Sequence, residues 1–323
     1  MNKKNAAYLF PGQGAQYSGM ALDLLTSDAV KPLFDTASEI FGKDVKELLQ
    51  SEVEFLKRTD VSQPVITLAN LSAAVFLGDQ GYSPAVCAGF SLGEYAALVC
   101  GGIIDAADCF RLVKARGEAM QKTCDSLARN SGGNAPGMAA VVGLAPGQVE
   151  ELIAQWREAG LKDLYAANIN SPKQLVVSGT AAALAEAETR FKEAGAKRVI
   201  RLQVAGPFHS PLMADSAEVF APALEKVTFR DPVVPVYSNV TGKLISSGEE
   251  AKKLALLQIT NPVRWIDEEA AIAQAGIEAC LEAGPGKVLQ GLWRDSSFTA
   301  ANGSQIPVFA AGTVEEILKI GTN

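Results

Sequence analysis

Repeated strand-then-helix patterning, a strand–Gly-x-Ser-x-Gly–helix turn at residues 86–99 and a βαββαβ run over residues 138–203 together predict an α/β protein. The expected architecture is a parallel-sheet, α/β-hydrolase-like core domain with a small ferredoxin-like subdomain inserted into it. The core is assigned to residues 1–128 and 204–323, and the subdomain to residues 129–203.

The turn carries the first functional signal. Residues 86–88 form an apolar run of strand type, Gly89-Phe90-Ser91-Leu92-Gly93 has the Gly-x-Ser-x-Gly form, and residues 94–99 read as a helix. In a nucleophile elbow this order lifts a serine hydroxyl out of the sheet, and the two glycines keep side chains away from the tight crossing. The backbone N–H after the serine and the positive end of the new helix then face an oxyanion forming there. The same pentapeptide can be a plain turn; the strand and helix on either side favour the elbow.

Serine is a poor nucleophile until a neighbouring group takes its proton, and imidazole is the usual choice. The chain has one histidine, His209, so a histidine-activated Ser91 must use it. A lone histidine is more often an ordinary surface or core residue. This one follows a strand pattern and lies in a Gly206-Pro207 loop, where catalytic side chains tend to sit.

Composition narrows the class. The 323 residues are 48% hydrophobic and 20% charged, as in a globular protein with a substantial core. A net charge of −7 argues against general nucleic-acid binding. The five cysteines include no Cys-x-x-Cys pair, which suits reduced thiols in a cytoplasmic protein and, with one histidine, makes a zinc site improbable. The apolar run that begins at Ala6 stops at Pro11-Gly12, too short for a signal peptide or a membrane helix.

Taken in order, residues 6–10 read as a strand ending in the glycine-containing loop Pro11–Gln16, in which no Gly-Lys-Ser/Thr follows to make a phosphate loop. Residues 32–50 read as helix, and Pro64 is expected to open a longer apolar helix reaching about Gly81. Residues 106–127 form one amphipathic helix with Phe110, Val113 and Met120 on its apolar side; periodicity alone reads Arg116 as a solvated residue. A polar, glycine-rich stretch at residues 129–137 marks the entry to the subdomain, and residues 233–239 are expected to form a further strand of the core.

Beyond single signals, a set of segments in fixed order resembles a known family. Phe10-Pro11-Gly12-Gln13-Gly14, Gly-Phe-Ser-Leu-Gly-Glu-Tyr at 89–95, Arg116-Gly117, Asn170-Ser171-Pro172, Val177-Ser178-Gly179, Phe208-His209-Ser210, Ser238-Asn239-Val240-Thr241-Gly242, Asn261-Pro262-Val263-Arg264-Trp265 and Gly284-Pro285-Gly286 are similar to the malonyl-CoA:acyl carrier protein transacylases of type II fatty acid synthase. The match spans essentially the whole chain. It implies that Ser91 takes malonyl from malonyl-CoA as an ester, with His209 as base, and passes it to the phosphopantetheine thiol of acyl carrier protein in ping-pong fashion.

The resemblance also implies roles for other positions. The backbone N–H groups of Gln13 and Leu92 would form the oxyanion hole, and the backbone carbonyl of Gln258 would orient the imidazole, so that none of Asp105, Asp108 and Asp125 is required as a third member. Arg116 would grip the malonyl carboxylate in a two-bonded fork, a handle that acetyl lacks. Phe208 would leave little room for an α-methyl group, although plain core packing also accounts for it. Where the family has histidine between Gly89 and Ser91 this chain has Phe90, a ring of similar reach without hydrogen bonds.

No bound cofactor or metal is expected, no nucleic acid or membrane partner, and a monomer. The acidic carrier protein calls for a local basic face, for which Arg190, Lys192, Lys197, Arg198 and Arg201 are candidates. Other readings of the same residues are a free-standing malonyltransferase of a polyketide pathway, a serine thioesterase or esterase that passes the acyl group to water, and a non-catalytic docking scaffold.

Overall fold

The computed structural model describes residues 2–300 and 302–320. Strand β1 (Ala6–Phe10) is followed by helices α1 (Lys31–Phe41), α2 (Val45–Leu49), α3 (Val53–Leu56) and α4 (Thr59–Asp79). Strand β2 (Pro84–Gly89), α5 (Gly93–Cys100) and the long α6 (Ala106–Asn130) come next. A second group comprises β3 (Gly137–Val142), α7 (Pro146–Glu158), β4 (Leu164–Ser171), β5 (Gln174–Gly179), α8 (Ala181–Glu193) and β6 (Arg198–Arg201). The chain then runs through α9 (Ala214–Leu224), α10 (Gly248–Leu257), α11 (Trp265–Gln274), β7 (Ala279–Glu282), α12 (Val288–Ser296), β8 (Val308–Ala310) and α13 (Val314–Leu318).

Two sheets result. The first is parallel, in the order β2-β1-β7-β8, with every residue of β1 buried. Alternation along β1 divides its side chains between two cores: Tyr8 and Phe10 pack with α4, α5, α6 and α9, while Ala7 and Leu9 pack with Trp265 and Ile272 of α11 and Leu289 and Trp293 of α12. A strand covered on both faces reads as a continuous apolar run, as this one does. Helix α4 is long and apolar enough to cross a bilayer, but most of it is buried among α1, α5 and α6, as a core helix is.

The second sheet is antiparallel, in the order β4-β5-β3-β6. Its Ala139, Val141, Leu175 and Val177 face a separate core under α7 and α8. Its opposite face, including Met138, Ala140 and Val176, lines a cleft against the first sheet's loops. Edge strand β4 is tied to the larger unit by Ile169 N–H to Val263 O and Val263 N–H to Ala167 O, both 2.8 Å.

Three local expectations are corrected. The single helix over residues 32–50 is broken at Gly42, whose left-handed φ of 68° caps α1, after which Asp44 accepts from Lys46 N–H and starts α2. Pro64 lies inside α4 instead of opening it; the helix begins at Thr59, whose N–H is taken by Gln121 Oε1 at 2.9 Å. Residues 233–239 form no strand, because Pro235 has no N–H to give to a ladder. They make only isolated bridges, with Cys87 N–H bound to Pro235 O and Tyr237 N–H to Cys87 O.

Candidate active site

Strand β2 delivers Ser91 on a turn that only glycine permits on either side. A Cβ on Gly89 would lie 2.0 Å from Gly93 C, and one on Gly93 would lie 2.0 Å from Phe10 O. Phe90 N–H is held by Phe10 O at 2.9 Å, which ties the elbow to the end of β1. Ser91 itself has φ 51°, a left-handed conformation that costs a non-glycine residue about 1–3 kcal/mol and persists only where surrounding structure enforces it.

His209 reaches the serine from the loop after β6. Its Nε2 lies 2.7 Å from Ser91 Oγ, and its Nδ1 lies 2.9 Å from the backbone O of Gln258 at the end of α10. A carbonyl can only accept, so Nδ1 carries the proton and Nε2 is the acceptor for the serine hydroxyl. The loop is pinned by Ser178 Oγ donating to Phe208 O and by Ser210 Oγ donating to Pro207 O. Burial first, and then the charge of Arg116, push His209 down to about 4. The imidazole is therefore neutral at pH 7. The aspartates weighed as a third member are engaged elsewhere: Asp105 caps α6 by accepting from Asp108 N–H, Asp108 pairs with Arg111, and Asp125 accepts from Gln121.

Arg116 is not a solvated helix residue; it is 1% exposed on the inner face of α6. Its Nη2 donates to Gln258 Oε1 at 3.0 Å, its guanidinium lies 5.5 Å from the centre of the Tyr95 ring, and its buried Nε has no partner among the described residues. The sequence held a signal for this burial, since residue 116 stands three after Val113 and four before Met120 on the apolar stripe.

Ser91, His209, Arg116, Phe208, Phe90, Gln13 and Leu92 all line one cleft of about 530 Å³ between the two sheets. Gln258 sits behind it, fully buried. The backbone N–H groups of Gln13 and Leu92 donate to no other described residue. Phe90 packs edge-on against Trp265, with ring centres 5.5 Å apart. Of the basic candidates, Arg190 and Lys192 are paired with Glu186 and Glu188, while Lys197, Arg198 and Arg201 are exposed and form no ion pair among the described residues. No group of three His, Cys, Asp or Glu side chains is placed to hold a metal ion among the described residues.

Behind the elbow lies a polar network that sequence reasoning missed. Asn239 Oδ1 accepts from Ser91 N–H at 2.7 Å, and its Nδ2 donates to Gly89 O and to Glu268 Oε1. Asn239 N–H donates to Glu94 Oε2 at 2.6 Å. Gln258 Nε2 bonds both Ser91 O and Asn239 Oδ1. Burial raises Glu94 to about 7 and Glu268 well above the usual carboxylate range.

Comparison with known proteins places this geometry among relatives. Residues 7–310 match the acyl transferase domain family. The chain is 38% identical over 289 residues to the malonyl CoA-acyl carrier protein transacylase of Escherichia coli K12, covering 88% of this chain and 91% of that one. The solved malonyl CoA-acyl carrier protein transacylase of Coxiella burnetii is similar with TM-score 0.88 and 32% identity, covering 98% of this chain and 96% of that one. A malonyl-transacylase in complex with its type II PKS acyl-carrier protein is similar with TM-score 0.86 and 33% identity, covering 98% of each chain.

Proposed function

The chain belongs to the acyl transferase domain family and, within it, to the malonyl CoA-acyl carrier protein transacylases, and on that premise we propose that it carries malonyl from malonyl-CoA to acyl carrier protein through an ester on Ser91. The observation that carries this reading is the 2.7 Å approach of Ser91 Oγ to His209 Nε2 in a cleft that also holds the buried Arg116.

In the first half-reaction Ser91 Oγ gives its proton to His209 Nε2 and attacks the thioester carbonyl. The negative oxygen is met by the free N–H groups of Gln13 and Leu92; losing one such donor costs roughly 100- to 1,000-fold in other enzymes. The C–S bond breaks and the departing thiolate takes the proton from His209. In the second half the carrier's phosphopantetheine thiol gives its proton to His209, attacks the ester carbonyl, and Ser91 leaves with that proton. Arg116, with its unpartnered Nε, grips the malonyl carboxylate, and Phe208 closes the space beside the α-carbon. The carbonyl of Gln258 orients the imidazole.

Fatty-acid synthesis is the favoured pathway because the curated relative serves an acyl carrier protein as a malonyl transacylase; the relative bound to a type II PKS carrier keeps polyketide supply as the second reading. Transfer is favoured over hydrolysis by Arg116 and by a carbonyl, not a carboxylate, on His209 Nδ1. The strand orders support a hydrolase-like core of residues 1–128 and 204–323 around a ferredoxin-like unit of residues 129–203. Five free cysteines suit a reducing cytoplasm, and a monomer is expected.

The test is transfer against hydrolysis. With malonyl-CoA and phosphopantetheinylated acyl carrier protein, malonyl-carrier should form far faster than free malonate. Malonate as the main product, with or without carrier, would give the protein to the thioesterases.

A further inference from the structure

We propose that Asn239 is the positioning residue of the nucleophile elbow: its side-chain amide clamps the backbone on both sides of Phe90 and so holds Ser91 Oγ in line with His209. This rests on the reading of Ser91 as the nucleophile. The clamp is two-sided, with Oδ1 taking Ser91 N–H at 2.7 Å and Nδ2 giving to Gly89 O at 2.7 Å. Both partners are backbone groups of fixed character, one a donor and one an acceptor, and the amide in this orientation offers each its complement.

The remaining capacity of the amide is also used. Glu268 Oε1 takes the second Nδ2 proton and Gln258 Nε2 gives to Oδ1. The backbone of Asn239 is fixed in turn, by Glu94 Oε2 on its N–H and by Arg264 N–H on its carbonyl. Asn239 is fully buried, as are Glu94 and Glu268. An apolar side chain would fill the same space without holding the carboxyl of Glu268 out of water. What it could not do is hold a left-handed serine against relaxation, which would swing Oγ away from Nε2. Because Asn239 is not itself part of the cleft lining and makes no hydrogen bond to Arg116, it should govern the rate of acylation and not the grip on substrate.

The experiment is single-turnover malonylation from malonyl-CoA, followed by intact-protein mass. It compares wild type, Asn239→Ala, the isosteric Asn239→Asp and Ser91→Ala, with rates expressed per site that finally loads. Both Asn239 variants should load about ten- to a hundredfold more slowly per site, the usual penalty for a nucleophile displaced by about an ångström, with the KM for malonyl-CoA within about threefold of wild type. A residue that only supports the fold would instead lower the thermal midpoint and the fraction of loading sites while leaving the per-site rate alone. A per-site rate within threefold of wild type in either variant overturns the inference. A malonyl adduct on Ser91→Ala would overturn the nucleophile assignment and this inference with it; a blank Ser91→Ala beside normally loading Asn239 variants sinks this inference alone.

Discussion

Arg116 Nη2 donates to the side chain of Gln258 at 3.0 Å, while the backbone carbonyl of the same Gln258 holds His209 Nδ1 at 2.9 Å. The group proposed to grip the substrate carboxylate and the group proposed to orient the base therefore share one anchor. The charge of Arg116 also helps to keep the imidazole neutral.

Arg116→Ala should lower kcat/KM for malonyl-CoA by about tenfold or more, the worth of a charge-assisted hydrogen-bonded pair. Acetyl-CoA, which offers no carboxylate, should be used at close to its original rate, so the preference collapses. Competition between the two thioesters, read by the mass added to Ser91, checks this. A variant that kept full preference for malonyl would remove Arg116 from the site.

The pH dependence of loading follows from the depressed His209. Its neutral form is the proposed base, and burial holds it neutral down to about 4. Loading by wild type should be flat from pH 8 to about 5 and fall as pH drops through about 4. In Arg116→Ala the acid limb should move to higher pH, because a cation that opposes protonation is gone. Half-maximal loading of wild type near pH 6.5, the ordinary histidine value, would contradict the buried geometry.

Gly93→Ala should destabilise the protein by about 3 kcal/mol or more, the cost of forcing a methyl group into a packed site. The added Cβ would lie 2.0 Å from Phe10 O, in the crossing that lets α5 start directly behind Ser91. Gly147→Ala is the contrast, since nothing lies within 4 Å of its Cβ in α7. It should be neutral or stabilising by up to about 1 kcal/mol through helix propensity. Denaturant midpoints of the two variants give the comparison.

Charge reversal on the small unit should act on the carrier and not on loading. Lys197→Glu with Arg201→Glu reverses exposed positive charge that forms no ion pair among the described residues. The KM for acyl carrier protein should rise severalfold and become less sensitive to salt, while malonylation of Ser91 from malonyl-CoA is unchanged. Equal carrier KM values at low salt would leave these residues as a solvated face.

Much of the site could be read from the chain because its chemistry is local or unique. The elbow is a contiguous pentapeptide with a steric need for glycine at both ends, and one histidine leaves one choice of base. Arg116 was harder, since a charge on an apolar stripe is read as solvated unless something buried awaits it, and Gln258 lies 142 residues away. Asn239 meets Ser91 across 148 residues, so only the folded chain reveals the clamp. The expected strand at residues 233–239 failed for a local reason, the missing N–H of Pro235, and the helix expected to open at Pro64 began at Thr59 because Gln121, on another helix, supplies the cap.

The most direct measurement is the intact mass of wild type and Ser91→Ala after brief incubation with malonyl-CoA or acetyl-CoA. A single malonyl adduct on wild type, little from acetyl-CoA and none on Ser91→Ala is the predicted result. An adduct that survives Ser91→Ala, or coenzyme A released with malonate and no adduct, would contradict a malonyl-serine intermediate at this elbow.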